Sequence, residues 1–419
     1  MQKIRYNLPR NMKYDIAIIG AGPSGIMAAI SARQNGASVI LIEKNDAIGR
    51  KILATGNGRC NITNKLTAVK NYHGANPGFI GSVLSQFDQF KTINYFEALG
   101  LILKEEDRGR MFPRTNQATS VVDILKHELT RLKVEVKLNA EVKKIENKSG
   151  WEITLLDASI INSDKLILTT GGKAAHQFGS SGDGHFWVKN LGHRVVDIYA
   201  ALVALETKES WVRDLQGLKV EATANFFVDD KIISKRSGDL IFTHFGLSGP
   251  AIMSQARFVA PFVNDNNVKV ELDFMADQSA SELDAVISKI FNASGSKVVK
   301  NALVGLLPAK LITTVLSQSD IDAETKTAII SKEQRNRIVK NLKSLTLNIS
   351  KLRPLKEAQV TRGGVSTDEI DVETLESKKI KGLYFAGEVM DVDGDSGGFN
   401  LQWAWSTGYI AGQSASLVK

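Results

Sequence analysis

From residue 14 the chain alternates short apolar runs with segments of helical periodicity. "DIAII" is an apolar run of strand length, broken by "GAGPSG". "SGIMAAISARQNG" has helical composition and closes at Gly36, a residue suited to the left-handed end of a helix. "SVILIE" is a second strand-length run. Strand, helix and strand in this order predict a βαβ unit whose crossover makes its two strands parallel.

Between residues 80 and 133 the pattern is mainly helical, as in "FIGSVLSQFDQFKTINYFEALG" and "SVVDILKHELTRL". "VEVKLNAEVKKIENKSG", "WEITLLD" and "DKLILTTGG" read as strands, and "GHFWVKNLG" as another helix. From about residue 196 the pattern changes. "RVVDIYAALVALET", "LKVEATANFFVDDKIIS" and "VKVELDF" show the alternation of a separate antiparallel sheet or small barrel. Residues 279 to about 345 are helical and charged. "LTLNIS" and "EAQVTRGGV" return to strands, and "KGLYFAGEV" with a glycine-rich helix finishes the chain. The expected fold class is α/β, with an inserted β domain and a helical subdomain.

Composition narrows this picture modestly. At 419 residues and 45.7 kDa the chain is too long for one compact core. A single cysteine forms no internal disulfide, and with six scattered histidines it makes no metal-ligand pattern, so no metal is expected. No apolar run approaches the ~18–20 residues that span a bilayer, so no membrane segment is expected. The expected compartment is the reducing cytoplasm. Residues 1–13 read as a tail without the apolar core of a signal peptide, with Met12 as an alternative start. The net charge of +8 fits either plain solubility or a polyanionic partner such as RNA, and charge alone does not choose.

"GAGPSG" fits G-x-G-x-x-G at Gly20, Gly22 and Gly25. The first glycine permits a tight turn. The second lets the backbone approach a pyrophosphate, and the third lets strand and helix pack closely. Glu43 ends the next strand near the ~20-residue offset of a ribose-binding acid, and its charge favours a ribose without a 2′-phosphate. Two more blocks distinguish FAD from NAD. "DKLILTTGG" runs a strand into Gly171 and its neighbour. At the far end a strand reaches Gly387-Glu388, and a helix begins near Gly397-Gly398. The acid suits a ribitol hydroxyl, and the helix N-terminus suits the flavin edge where charge develops on reduction. An NAD site needs no such distant element.

Together these blocks resemble the flavoproteins with two dinucleotide-binding domains, the class of fumarate reductase and aspartate oxidase. "GRKILATGNGRCNITN", "GDLIFTHFGLSGPA" and "FAGEVMDVDGDSGGFNLQWAWSTGYIAG" resemble more closely the BaiN/RdsA family of FAD-dependent oxidoreductases, from about residue 14 to the C-terminus. The implied fold is a Rossmann-like FAD-binding domain (14–195 and 354–419) interrupted by a β-barrel-like substrate domain (196–278 and 345–353), which carries a helical insert (279–344). The resemblance implies that Gly20, Ala21, Gly22, Pro23, Ser24, Gly25, Glu43 and Lys44 hold the ADP half of FAD. It implies that Gly56, Asn57, Gly58 and Arg59 follow the pyrophosphate. Val142 would meet the adenine through its backbone. Gly387, Glu388, Gly397, Gly398, Phe399, Asn400 and Leu401 would surround the ribitol and pyrimidine edge. "GSSGDGHFW" matches a helix start that faces flavin or substrate in the larger class.

Cys60, the lone cysteine, would lie with Asn61 near the flavin. It is either a proton donor or a small residue filling a gap. Arg59 suits a phosphate or a substrate oxyanion. His244 is a candidate proton donor and Arg362 a candidate anion clamp, on motifs that the interrupting domain would present at its junction with the FAD domain. His176 and His185 are weaker candidates. No second dinucleotide fingerprint follows a strand, so NAD(P)H enters only as a reductant without a dedicated domain.

Three functions remain open at this point. The resemblance implies, as the leading reading, reduction of a uridine in large-subunit ribosomal RNA to dihydrouridine; the basic stretch "KSLTLNISKLRPLK" offers Lys343, Lys351, Arg353 and Lys356 as candidate phosphate contacts. As an alternative it admits a small-molecule substrate, by amine oxidation or steroid-acid reduction. A non-catalytic RNA-binding factor that keeps FAD as a structural element is the third. The oligomeric state is left open.

Overall fold

The computed structural model describes residues 13–264, 267–293 and 296–417. The expected tail up to Met12 lies outside them, and Lys13 already belongs to the first strand. The chain divides into two compact units. One takes the residues up to Ile198 with those from Val360 onward, and the other is Tyr199–Gln359.

In the first unit β1 (Lys13–Ile19), α1 (Pro23–Gln34) and β2 (Val39–Ile42) form the expected parallel βαβ unit. Glu135–Lys137 continues the parallel sheet beyond β2, and Ile160–Leu168 pairs with the other side of β1. Ile160–Leu168 has nine residues and serves two partners on its far side. Ile160–Ser163 pair antiparallel with Trp151–Leu155, and Leu166–Leu168 pair parallel with Leu383–Phe385. Val142–Asn147 completes the antiparallel meander. The parallel strands β1, Ile160–Leu168 and Leu383–Phe385 end at one edge of the sheet, in Gly20, Gly171 and Gly387. That edge, outside the carboxyl ends of the strands, is where open α/β sheets bind ligands.

The helix Phe399–Ser416 is buried on nearly every side, as its sequence without a charged residue requires. A Cβ on Gly408 would collide with the Ser24 carbonyl, and one on Gly412 with that of Ala28. Glycine at these two positions therefore lets the helix lie directly on α1. Gln402 and Trp405 tie it to the loop after β2: Thr63 donates to the Gln402 amide oxygen, and Trp405 Nε1 donates to Ile62 O at 3.0 Å.

The expected run of helix from residue 80 is interrupted. It divides into Pro77–Gln86 and Gln89–Ala98 because Asp88 turns out as an N-cap, accepting from Lys91 N at 2.7 Å. Leu103–Glu106 and Arg110–Pro113 then form a β-hairpin that pairs with Thr63–Asn64. Leu103–Glu106 is mostly charged, and Arg110–Pro113 is only four residues long and ends in proline, so no apolar alternation announces them.

The second unit is a closed antiparallel barrel. Its strands run in the order Leu205–Thr207, Gly246–Ser248, Lys231–Phe242, Lys219–Val228, Val268–Asp273 and Leu345–Leu352. Inward and outward residues alternate along Val268–Asp273, as closure around a core demands. Asp229 and Asp230, both at positive φ, make the two-residue turn of the long hairpin. The unit also holds the helices Ala280–Ala293, Ala309–Gln318 and Lys332–Lys343. Two of the cations expected to contact RNA are engaged inside this unit. Lys343 Nζ donates to Met275 O and Gln278 O and pairs with Asp273. Arg353 is held by Glu206 and, with both Nε and Nη2, by Glu357. Lys351 stands 3.3 Å from Glu206 with its side chain largely exposed, and Lys356 is exposed.

Candidate active site

The three glycines of the first turn meet three different constraints. Gly20 has φ +106, and a Cβ there would lie 2.6 Å from Thr169 O. A Cβ on Gly25 would overlap the Gly20 carbonyl itself. Gly22, the N-cap of α1, has nothing within 4 Å of an added Cβ. The turn is thus closed on its inner side at Gly20 and Gly25 and open at Gly22, where α1 presents its unpaired N–H groups. An anion is stabilised at that position by the helix dipole and the free donors.

Glu43 is buried just beyond β2. Its Oε2 accepts from Ala21 N at 2.8 Å, and its Oε1 accepts from the backbone and side-chain amides of Asn45. Val142 begins its strand two residues after Ala140, whose N–H donates to Glu43 O. Lys44 turns aside, and its ammonium donates to Ser181 Oγ at 2.5 Å and Asp183 Oδ2 at 3.0 Å. The pair fixes the start of the helix Asp183–Asn190. Gly171, at φ +70, packs against Ser180.

The loop after β2 turns sharply at Gly56 (φ +57), Asn57 (φ +56), Gly58 (φ +80) and Cys60 (φ +60). Gly58 faces open space. Arg59 faces the hairpin. Its Nη1 bonds both oxygens of Glu106 at 3.0 and 3.1 Å, and its guanidinium lies 4.1 Å over the Phe112 ring. The side chain therefore braces this loop, and only its backbone is left for a pyrophosphate. Cys60 has no exposed surface and packs in the main hydrophobic core. Burial pushes its thiol up to about 12, against a small opposing effect of a hydrogen bond with Thr55. Such a thiol is a poor acid at neutral pH, and its complete burial in the core fits the gap-filling reading. Asn61, next to it, is buried, and its Oδ1 has no hydrogen-bond partner.

At the other end of the chain, Gly387 (φ +80) approaches Ser24 of α1, and its N–H donates to Thr407 Oγ1 at 2.9 Å. The Glu388 carboxylate is engaged at both oxygens, by Lys51 Nζ at 2.6 Å and by Thr361 N at 2.8 Å. Asn400 latches onto Gly394, accepting from its N–H and donating to its carbonyl. Gly397 and Gly398 both have positive φ, and Gly398 caps the last helix against Thr63 O. Phe399 and Leu401 are buried beneath it.

A model of the HI0933-like protein Rossmann domain matches residues 14–414. The chain belongs to this family. It is 35% identical over 404 residues, 96% of this chain and 98% of the relative, to a 3-dehydro-bile acid delta(4,6)-reductase of Clostridium scindens. It is 31% identical over 409 residues, 97% and 99% of the two chains, to a ribosomal RNA dihydrouridine synthase of Escherichia coli. Among solved structures, a 3-ketosteroid delta1-dehydrogenase of Sterolibacterium denitrificans aligns with a TM-score of 0.50 at 13% identity. That match covers 96% of this chain and 99% of the other, and it speaks for the fold. This HI0933-like protein is an FAD-dependent oxidoreductase. Its residues fit the cofactor: Gly22 and Gly58 leave room where a side chain would stand, and the buried Asn61 oxygen is an acceptor waiting for a donor.

The remaining candidates are dispersed. Arg362 lies on Val360–Val365, half-buried, and its charge opposes the upward shift that burial imposes on Asp391. His244 is exposed in the barrel unit beside Phe245. His185 is buried and bonded to Val389 O at 3.0 Å, and burial lowers its pKa. His176 is exposed. No motif marked His73. The short strand Tyr72–His73 pairs with Asp393–Gly394, and His73 Nε2 lies 3.0 Å from Oδ1 of the buried Asp395. Two residues beyond Asp395 is Gly397. "MDVDGDSGG" carried the signal of an acidic loop, but nothing local named its histidine.

Proposed function

We propose that this protein adds a hydride and a proton across a carbon–carbon double bond conjugated with a carbonyl, and that the substrate is a uracil base of ribosomal RNA. Both named relatives point to that type of bond, as 5,6-saturated uridine in one and as a delta(4,6) system beside a 3-ketone in the other. Similarity to the ribosomal RNA dihydrouridine synthase over nearly the whole of both chains carries the reading, and the net charge of +8 supports it.

Bound FAD, reduced by an external two-electron donor such as NAD(P)H, would supply the hydride. The chain's own groups do the rest. The α1 N-terminus at Gly22–Ser24 and the backbone of 56–59 would hold the pyrophosphate. Glu43 would hold the ribose hydroxyls with the oxygen lone pairs that Ala21 and Asn45 leave available. Val142 would border the adenine, and Gly171, Gly387, Gly397–Leu401 and the unpartnered Asn61 Oδ1 would border the flavin. The His73 ring is the proposed source of the balancing proton, and Asp395 holds that ring through Nε2 at 3.0 Å. Arg362 steadies the acidic loop through Asp391.

The test is nucleoside mass spectrometry after incubating the FAD-loaded protein with naked ribosomal RNA and a reductant. Dihydrouridine is expected. The higher identity to the bile-acid reductase favours a second reading, a small 3-oxo steroid substrate. Steroid turnover without dihydrouridine would establish that reading instead.

A further inference from the structure

The hairpin Leu103–Pro113 lies in the first unit, yet none of the expected functions uses it. With the loop it pairs to and the residue that follows, it gathers Arg59, Lys65, Lys104, Arg108, Arg110 and Arg114 against Glu105, Glu106 and Asp107. The acids are shared out internally. Lys65 pairs with Glu105, while Arg59 and Lys104 pair with Glu106. Arg110 donates through Nε to Asp107 O. Arg108 and Arg114 are exposed, and neither guanidinium has a partner among the described residues. This is the reverse of Lys343 and Arg353, whose charges are engaged within the barrel unit.

An unpaired surface arginine is ordinarily only a solvated charge. The position of this one is not ordinary. Asn64 Nδ2 donates both to Arg108 O at 3.1 Å and to Gly397 O at 2.9 Å. Lys65 N donates to Gly109 O at 2.8 Å. The hairpin tip is thereby tied to the glycine pair that opens the last helix, the proposed flavin border. Arg108 holds a left-handed backbone (φ +62), which turns the chain at that tip. Around the tip stand large apolar side chains in water. Leu66 packs under Gly109 yet is 63% exposed, and Phe90 is 54% exposed. Phe90 follows Gln89, whose amide donates to Lys65 O. Cations for phosphates next to exposed apolar faces for unstacked bases are what a single-stranded nucleic acid needs.

We propose that this hairpin is the RNA-docking edge of the active site, with Arg108 at its tip contacting a phosphate beside the target base and Arg114, at the hairpin's other end, a phosphate farther along the strand. The inference rests on the RNA reading above. The test uses full-length FAD-loaded protein and a labelled single-stranded ribosomal RNA fragment, with anisotropy measured across a salt series. In the Arg108→Gln, Arg114→Gln double variant the slope of log affinity against log salt is expected to fall by about 0.7 for each phosphate that an arginine no longer neutralises. Lys126→Gln, an exposed cation elsewhere in this unit, is expected to match the parent. The flavin spectrum and dithionite reduction of the double variant are expected to be unchanged, which shows that it is folded. Parent-like affinity and slope in the double variant would overturn the hairpin assignment and leave the RNA reading standing. A parent protein that binds no RNA, while a 3-oxo steroid turns over, would overturn both.

Discussion

The turn Gly20–Gly25 and the paired loops 55–64 and 391–398 lie in the same unit, but they handle polar groups differently. Around the first, the Glu43 carboxylate already accepts three hydrogen bonds, and Gly20 and Gly25 fit their neighbours without slack. Around the second, Asn61 keeps a buried oxygen without a partner, and His73 keeps part of its surface open beside a buried carboxylate. A binding element gains from being fully made before its ligand arrives. A reacting element must hold a proton and an acceptor in reserve, which costs stability when they are buried.

That contrast breaks first at Gly25. Gly25→Val drives a side chain into the Gly20 carbonyl, where backbone cannot yield. The expected result is loss of FAD and a destabilisation of ~3 kcal/mol or more, beyond ordinary overpacking. Gly22→Ala meets open space, so it is expected to keep the parent melting temperature of the apoprotein while binding FAD more weakly. Equal behaviour of the two variants in thermal unfolding would contradict the description of the turn.

The next effect concerns the proposed reacting element. His73→Gln is expected to lower turnover by ~10²–10⁴-fold while FAD content and dithionite reduction stay at parent values. A loss of FAD instead would make His73 a structural residue. Glu43→Gln tests the binding element more gently. It keeps the shape and removes the charge, and FAD affinity is expected to weaken by ~1–3 kcal/mol. Fluorescence titration of the apoprotein measures it, and an unchanged affinity would place the ribose contact elsewhere.

The smallest effect is expected at Cys60. Cys60→Ala should leave turnover within a few-fold of the parent, and the native thiol should resist thiol reagents until the protein unfolds. The folded state holds the thiol proton up to about pH 12, whereas the unfolded chain releases it near ~8.5. Folding stability is therefore expected to fall as pH rises through that interval, and the alanine variant should lack this contribution. A fast-reacting thiol, or a turnover loss as large as that of His73→Gln, would restore Cys60 as the acid.

Local sequence was enough to read the βαβ unit, the glycine turn and the inserted barrel. Their causes are local: residue spacing, period-two alternation, and the space one glycine leaves for its neighbour. Tertiary structure alone decided which side chains at the site are free to act. Arg59 meets Glu106 across 47 positions, His73 meets Asp395 across 322, and Lys51 meets Glu388 across 337. Burial of Cys60 depends on a core assembled from both ends of the chain. A motif names residue types at a spacing, but the availability of a charge or a proton depends on what the rest of the chain brings within about 3 Å of it.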